Sequence, residues 1–264
     1  MQSPRMQPSS DPGPAGSPGP IYVLRKRWQA LFRALRERGA AAAGRLPPGV
    51  RRILGKPVNF ADMLFIDHGL FRLVYLNRHR LGAQAWRAAQ PAPHNIRRFA
   101  EGGIRTIINL RGPRDCGSYR LEREACAETE IALVDFPIGS RQAPEQATIR
   151  AAVLLFDRVA YPMLMHCKSG ADRAGLMSVL YLHLREGVPV DDALSQLSLR
   201  FGHVRSADTG ILDAFFESYI RFNRTTPVPF LEWVERYYDP IELKRAFVAG
   251  GWSSWVLGRV LGRE

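Results

Sequence analysis

Cysteine is scarce in this chain: three of its 264 residues, Cys116, Cys126 and Cys167. An odd number at irregular spacing is no disulfide framework. There is no Cys-x-x-Cys and no clustering of histidine with cysteine, so neither a metal site nor a cofactor is expected. Long apolar runs are also missing, which excludes a bilayer-spanning helix. Residues 1–20 lack the apolar core of a secretory signal. They are rich in Pro, Gly and Ser, cannot form a core, and are expected to be a disordered tail. Acidic residues are rare early in the chain. Residues 1–56 hold eleven Lys/Arg against Asp11 and Glu37, so nine of the twelve net positive charges lie there and the remainder of the chain is near neutral. Such basicity is weak ground for nucleic acid, and none is expected as a partner.

What is present begins at Ile21. Leu24, Trp28, Leu31, Phe32 and Leu35 recur at helical spacing, with Arg25, Lys26, Arg33 and Arg36 mostly off that face. A basic amphipathic helix is expected over 21–38, followed by a linker to residue 56. It could pack on the body of the protein, or make peripheral contact with an anionic membrane surface. From residue 57 to about 225, apolar strand-like runs alternate with helical patterns. Strands are expected between Asn59 and Asn77, then at Trp86, at Ile104–Leu110, at Ile131–Phe136 and at Met163–Met165. Helices are expected at His94–Glu101, Ser118–Glu130 and Pro144–Val159 (Ile149, Val153, Leu154 and Phe156 inward), and after Asp172. Further helices are expected at Asp191–Arg200, Thr209–Asn223 and Pro229–Tyr238. This alternation predicts an α/β fold with a central, mostly parallel sheet flanked by helices. Residues 226–264 read as a helical C-terminal extension, with a small apolar face at Trp252, Trp255, Val256, Val260 and Leu261.

Chemistry concentrates in residues 162–182. A buried strand there feeds a tight loop, His166 to Asp172, and then a helix carrying Leu176, Val179, Leu180 and His183 at helical spacing. Strand, loop and helix N-terminus together aim backbone N–H groups and the positive end of the helix dipole at one point. The same field favours the thiolate of Cys167. Arg173, with five residues between it and the cysteine, can offer a fork of donors to two phosphoryl oxygens. In a parallel sheet, ligands bind beyond the C-terminal strand ends, where this loop falls.

His166-Cys167 with Arg173 five residues beyond, after a hydrophobic strand, resembles the signature loop of the cysteine-based protein tyrosine and dual-specificity phosphatases. Two more segments, Trp86-Arg87-Ala88-Ala89-Gln90-Pro91 and Asn109-Leu110-Arg111, resemble the bacterial, fungal and plant atypical members of that group. The likeness spans roughly residues 60–225. It implies a dual-specificity-phosphatase-like fold and hydrolysis of phosphomonoesters through a phosphocysteine on Cys167. Arg173 and the amides of Lys168, Ser169, Gly170 and Ala171 would hold the phosphoryl oxygens, with His166 and Arg111 in support. A reactive thiolate favours a reducing, cytoplasmic compartment, with membrane association through the 21–38 helix as a further option. Phosphorylated proteins are the leading substrate class. Phosphoinositides, phosphatidylglycerophosphate or inositol (pyro)phosphates are the alternative, and a non-catalytic phosphate-binding adaptor is a third reading. A rhodanese is disfavoured because that sulfur-transfer loop is usually shorter.

The sequence departs from the family pattern in three places. Ala88 stands where serine is usual. Ala174 stands where a Ser or Thr hydroxyl usually stabilises the leaving thiolate, which predicts a slow second step. The usual loop aspartate, the general acid, is also missing. Asp135 lies thirty-two residues before Cys167 but inside an expected strand, and the loop from Pro137 to Pro144 carries Ser140 and no carboxylate. Candidate acids are then Asp172, which precedes Arg173 as in myotubularin-type lipid phosphatases, and Asp115. Glu145 reads better as a charge at a helix start.

Overall fold

The computed structural model describes residues 57, 59–61, 63 and 75–249. The expected 21–38 helix, its linker and the apolar face at Trp252–Leu261 lie outside the described residues. Five strands form one sheet: β1 (His79–Arg80), β2 (Ala85–Ala89), β3 (Thr106–Asn109), β4 (Ala132–Asp135) and β5 (Met163–Cys167). Their spatial order is β1-β2-β5-β3-β4. β1 runs antiparallel to β2, and all other pairings are parallel. β5 is therefore central, with Cys167 level with Ala89 on one side and His166 level with Asn109 on the other.

The expected α/β architecture is present. Every residue of β3 and β5 is buried, as suits parallel strands covered on both faces. Side chains alternate between two cores. Ile107 and Leu164 join Ala88, Ile96, Phe99, Ala125 and Cys126 on the side of α1 (Pro93–Glu101) and α2 (Gly117–Glu128). Ile108, Met163 and Met165 face the larger core formed with α3 (Gln146–Arg158), α4 (Asp172–Glu186), the short α5 (Val190–Ala193), α6 (Ile211–Thr225) and α7 (Phe230–Arg236). The last described helix is α8 (Pro240–Ala249). Helix α4 is buried continuously from Ala174 to Leu182, because the sheet lies under it and α6 and α7 close over it with Phe215, Phe216, Phe230 and Trp233. No described helix is long and apolar enough to cross a membrane.

Several elements differ from their sequence expectation. The central strand continues through His166 and Cys167, so both lie in the sheet and the loop begins at Lys168. The stretch expected as strands from Asn59 is helical at 59–61, residues 62 and 64–74 lie outside the description, and among the described residues no strand begins before His79. Leu154 is 52 % exposed and not inward, since Ile149, Ala152 and Phe156 form the buried line of α3. The helix expected over 191–200 stops at Ala193 and gives way to 3₁₀ turns at Leu194–Gln196 and Leu199–Phe201. Here the carbonyl of Gln196 accepts from Arg87, and that of Ser198 accepts from the N–H of His203. The first acceptor serves a contact across the fold and the second closes the local turn that leads to His203, so neither continues the helix.

Candidate active site

The segment from Cys167 to Arg173 leaves the end of the central strand and enters the first turn of α4. Gly170 holds φ at +74°, where a side chain is disfavoured. A Cβ there would also lie 2.7 Å from the backbone of Ala88 and Ala89. The loop thus rests directly on β2, and the small fully buried Ala88 allows that approach.

Arg87, on β2 and fully buried, organises the loop from behind. Its Nη2 donates to the carbonyls of Gly170 (2.7 Å) and Ala171 (3.0 Å). Its Nη1 donates to the carbonyl and side-chain oxygens of Gln196, at 2.7 and 2.9 Å. The guanidinium carbon lies 4.2 Å from the centre of the Phe201 ring. Burial pulls the Arg87 pKa down to about 10, opposed by Cys167 and Asp172. Asn77 works beside it, its Nδ2 donating to the carbonyls of Ser169 and Phe201, each at 2.9 Å.

In a trans peptide the carbonyl and the following N–H point in opposite directions. With the carbonyls of Ser169, Gly170 and Ala171 drawn toward Asn77 and Arg87, the N–H groups of Gly170, Ala171 and Asp172 turn toward the hollow of the loop. Ala171, the residue preceding α4, contributes no capping side chain to that first turn. The result is a cluster of aligned donors beside a thiol, suited to a tetrahedral oxyanion. Arg173 is half-buried, and its Nη1 approaches the carbonyl of Leu110 at 3.4 Å. Burial lowers its pKa; Cys167 raises it, while Arg111 and Arg114 lower it. These groups are its electrostatic neighbours.

His166 is fully buried, with Nε2 2.5 Å from Oε1 of the equally buried Glu122 on α2. Oε2 of Glu122 accepts from Gln90 Nε2 at 2.7 Å, and Gln90 Oε1 accepts from the Arg111 guanidinium. Hydrogen bonds therefore link Glu122 of α2 to both motif segments, and the same carboxylate lies against His166 of β5. Asp135 ends β4 with both oxygens engaged, Oδ1 by Asn109 Nδ2 at 2.7 Å and Oδ2 by Tyr119 OH at 2.5 Å. Burial and this carboxylate push the Tyr119 pKa up to about 12. Asn109 also donates to the carbonyl of Gly112 and accepts from the N–H of Arg111, shaping the loop after β3.

The two candidate acids occupy different settings. Asp115 sits on that loop with its side chain 70 % exposed, paired with Arg120. Asp172 opens α4, and its Oδ1 accepts from Nδ1 of His203 at 2.8 Å. Nε2 of the same imidazole lies 2.6 Å from Oδ2 of Asp213, on α6. Sequence reading missed His203, Asp213, Asn77 and Glu122. Their partners lie up to 124 residues away in the case of Asn77 and Phe201, a separation that local spacing does not reveal.

The comparisons with known proteins follow the same direction. The profile of a family described as "PTP-NADK: DSP-PTPase phosphatase fused to NAD+ Kinase" matches residues 75–211, more than half of the chain. No curated protein matches. Among solved structures, P. aeruginosa TpbA is 17% identical, over 66% of this chain and 91% of its own, with a TM-score of 0.46. A putative phosphatase from Neisseria meningitidis Z2491 is 21% identical, over 51% of this chain and 94% of its own, with a TM-score of 0.41. PTPMT1 is 16% identical, over 56% of this chain and 99% of its own, also with a TM-score of 0.41. With the match running from the strand that carries Arg87 through the Cys167 loop to the start of α6, the chain belongs to this family and is a phosphatase of the dual-specificity and protein tyrosine type.

Proposed function

We propose that the chain hydrolyses phosphomonoesters in two steps through a phosphocysteine on Cys167. The observation that carries this reading is the outward pinning of three loop carbonyls by Arg87 and Asn77, which turns the intervening amides toward the thiol. In the first step the thiolate attacks phosphorus, the S–P bond forms, the P–O bond to the leaving group breaks, and the departing oxygen takes a proton. In the second, water gives up a proton and attacks phosphorus, the new P–O bond forms, the S–P bond breaks, and inorganic phosphate leaves as the thiolate returns. The backbone amides of residues 168–173 and the Arg173 guanidinium hold the equatorial oxygens in both. His166, held by Glu122, keeps the end of β5 in place.

Ala174 is fully buried and brings no hydroxyl to the second step. That step should limit turnover. Rapid-quench assays of an aryl phosphate should therefore give a burst of product approaching one equivalent of enzyme. A linear time course without trapped phosphoenzyme would mean that another group, such as Ser169, replaces the hydroxyl.

Proton donation to the leaving oxygen is assigned to Asp115, which lies in the loop after β3, adjacent in sequence to the Arg114 that neighbours Arg173. Asp172 is held by His203 and takes a positioning role. Asp115→Asn should then slow alkyl phosphates by about 100-fold while leaving activated aryl phosphates nearly untouched. Asp172→Asn should slow both. The reverse pattern would move the acid to Asp172.

For substrate, the leading reading is a phosphotyrosine or phosphoserine/threonine protein. Arg111 and Arg114 beside Arg173 favour a second: a ligand with an additional anionic group, such as a phosphoinositide, phosphatidylglycerophosphate or inositol phosphate. Parallel assays of phosphopeptides and these compounds on wild type and Cys167→Ser decide between them by kcat/KM.

A further inference from the structure

His203 lies in the loop between the 3₁₀ turns Leu199–Phe201 and Asp208–Gly210, 1 % exposed, with both ring nitrogens against carboxylates. Gly202, at φ +79°, makes the turn that delivers it, and the N–H of His203 donates to the carbonyl of Ser198. A neutral imidazole has one N–H and can satisfy one of two acceptors. The imidazolium has two, matching Asp172 at 2.8 Å and Asp213 at 2.6 Å. Asp213 is itself 2 % exposed, so this contact is an interior strut and not a surface pair. One end of the strut is fixed in α6. The other grips the first residue of α4, immediately before Arg173 and immediately after the two residues whose carbonyls Arg87 holds. Arg87 draws the loop toward β2, and His203 holds the next residue from the opposite direction in the chain.

We propose that His203 is a positioning residue for the phosphoryl-transfer reaction, acting as an imidazolium that ties Asp172 to Asp213 and so sets the orientation of Arg173 and of the last amides of the loop. This inference rests on the phosphatase reading of the Cys167 loop. Burial opposes protonation of His203, but Asp172 and Asp213 outweigh it and raise the pKa to about 9. The groups facing the ring are those two carboxylates, one from α4 and one from α6; Asp172 in turn acts on Arg87 and Arg173. For a group whose folded pKa lies above its ordinary 6.5, the bonding contribution is complete below that value and is lost as pH rises through about 9. Phosphatase activity should follow the same course.

The test uses the full chain. NMR of the histidine ring protons gives the titration midpoint of His203, and kcat/KM for an aryl phosphate is measured across pH on wild type, His203→Gln, Asp213→Asn and Cys167→Ser. The expected result is an alkaline limb coinciding with the imidazole titration, and a loss of about 100-fold at neutral pH in folded His203→Gln, the size associated with misplacement of a catalytic group by about 1 Å. Where His203→Gln fails to fold, Asp213→Asn decides: the imidazole midpoint and the activity limb should both move to lower pH by about one unit or more, since one charged partner is gone. Folded His203→Gln with unchanged kcat/KM and pH profile, or an activity limb that does not follow the imidazole in Asp213→Asn, would overturn the proposal while Cys167-dependent hydrolysis in the wild type keeps the parent reading intact. Hydrolysis that survives Cys167→Ser overturns the parent reading, and this proposal with it.

Discussion

Cys167→Ser protein should fold and bind phosphate, yet release no product from any phosphomonoester within the sensitivity of a steady-state assay. The change keeps shape and burial at the C-terminal end of β5, where Cys167 is 2 % exposed and level with Ala89 in the sheet. The anion-holding parts are elsewhere, in the amides of residues 168–173 and in Arg173. Binding and chemistry should therefore separate. A serine hydroxyl in that position has no base within its own mechanism and a far higher pKa than a thiol, so loss of at least about 10⁴-fold in kcat is expected, as when the nucleophile of a hydrolase is removed. The check is paired: orthovanadate or phosphate binding by calorimetry, and product release from an aryl phosphate. Binding within about threefold of wild type with abolished turnover is the expected signature of a lost nucleophile with an intact cradle. Retained turnover would transfer the nucleophilic role away from Cys167.

The second large effect belongs to a residue that touches no substrate. Arg87→Met should lower the melting temperature by about 10 °C or more and remove most activity. The guanidinium supplies donors to the carbonyls of Gly170, Ala171 and Gln196 together. Removing it strands the carbonyls of Gly170 and Gln196 at about 1–3 kcal/mol each and leaves that of Ala171 with the Gly175 N–H alone, so a total of about 3–5 kcal/mol is expected. For a body of this size, 1 kcal/mol corresponds to about 2–4 °C in melting temperature. Arg87→Lys is the informative companion. It keeps the charge but places one ammonium where a planar fork spans two neighbouring carbonyls and a third segment. It should recover part of the stability and little of the activity, because the loop amides lose their alignment even when the fold survives. Equal recovery of both in Arg87→Lys would mean that charge alone, and not the fork, holds the loop. Thermal melts alongside kcat/KM separate these outcomes.

Much of this molecule is legible in the sequence because its signals are local. The alternation of apolar strands and helices gives the parallel sheet. Residues 162–182 give the strand, loop and helix from the burial of Met163–Met165 and the glycine punctuation at Gly170. Where reading fails, the physics is non-local. The stretch from Asp191 to Arg200 has helical composition, yet the Gln196 carbonyl within it is claimed by Arg87, 109 residues away. Leu154 has the character of an inward residue but lies on the solvent side of α3. Asp135 shows both sides of the problem. Its distance from Cys167 suits an acid and its place in a strand argues against one; the structure adds the physical reason, with both oxygens engaged by Asn109 and Tyr119. His203 and Asp213 carry no motif at all, since an isolated histidine in a loop gains meaning only when two helices bring carboxylates to both of its nitrogens.

The strand order has a consequence for how the chain is born. β2 and β3 do not pair with each other; each pairs with β5, which among the described strands is the last to be synthesised. Until residue 167 has left the ribosome, the nascent protein holds two unjoined half-sheets with open edges. When α4 follows, its apolar circumference waits in turn for Phe215, Phe216, Phe230 and Trp233. Closure is thus postponed to late translation, and contacts between distant segments dominate the barrier. During that interval the unpaired edges and bare helix are candidates for chaperone capture or for aggregation. The strand that gives the nucleophile its rigid seat is also the one that completes the described sheet last.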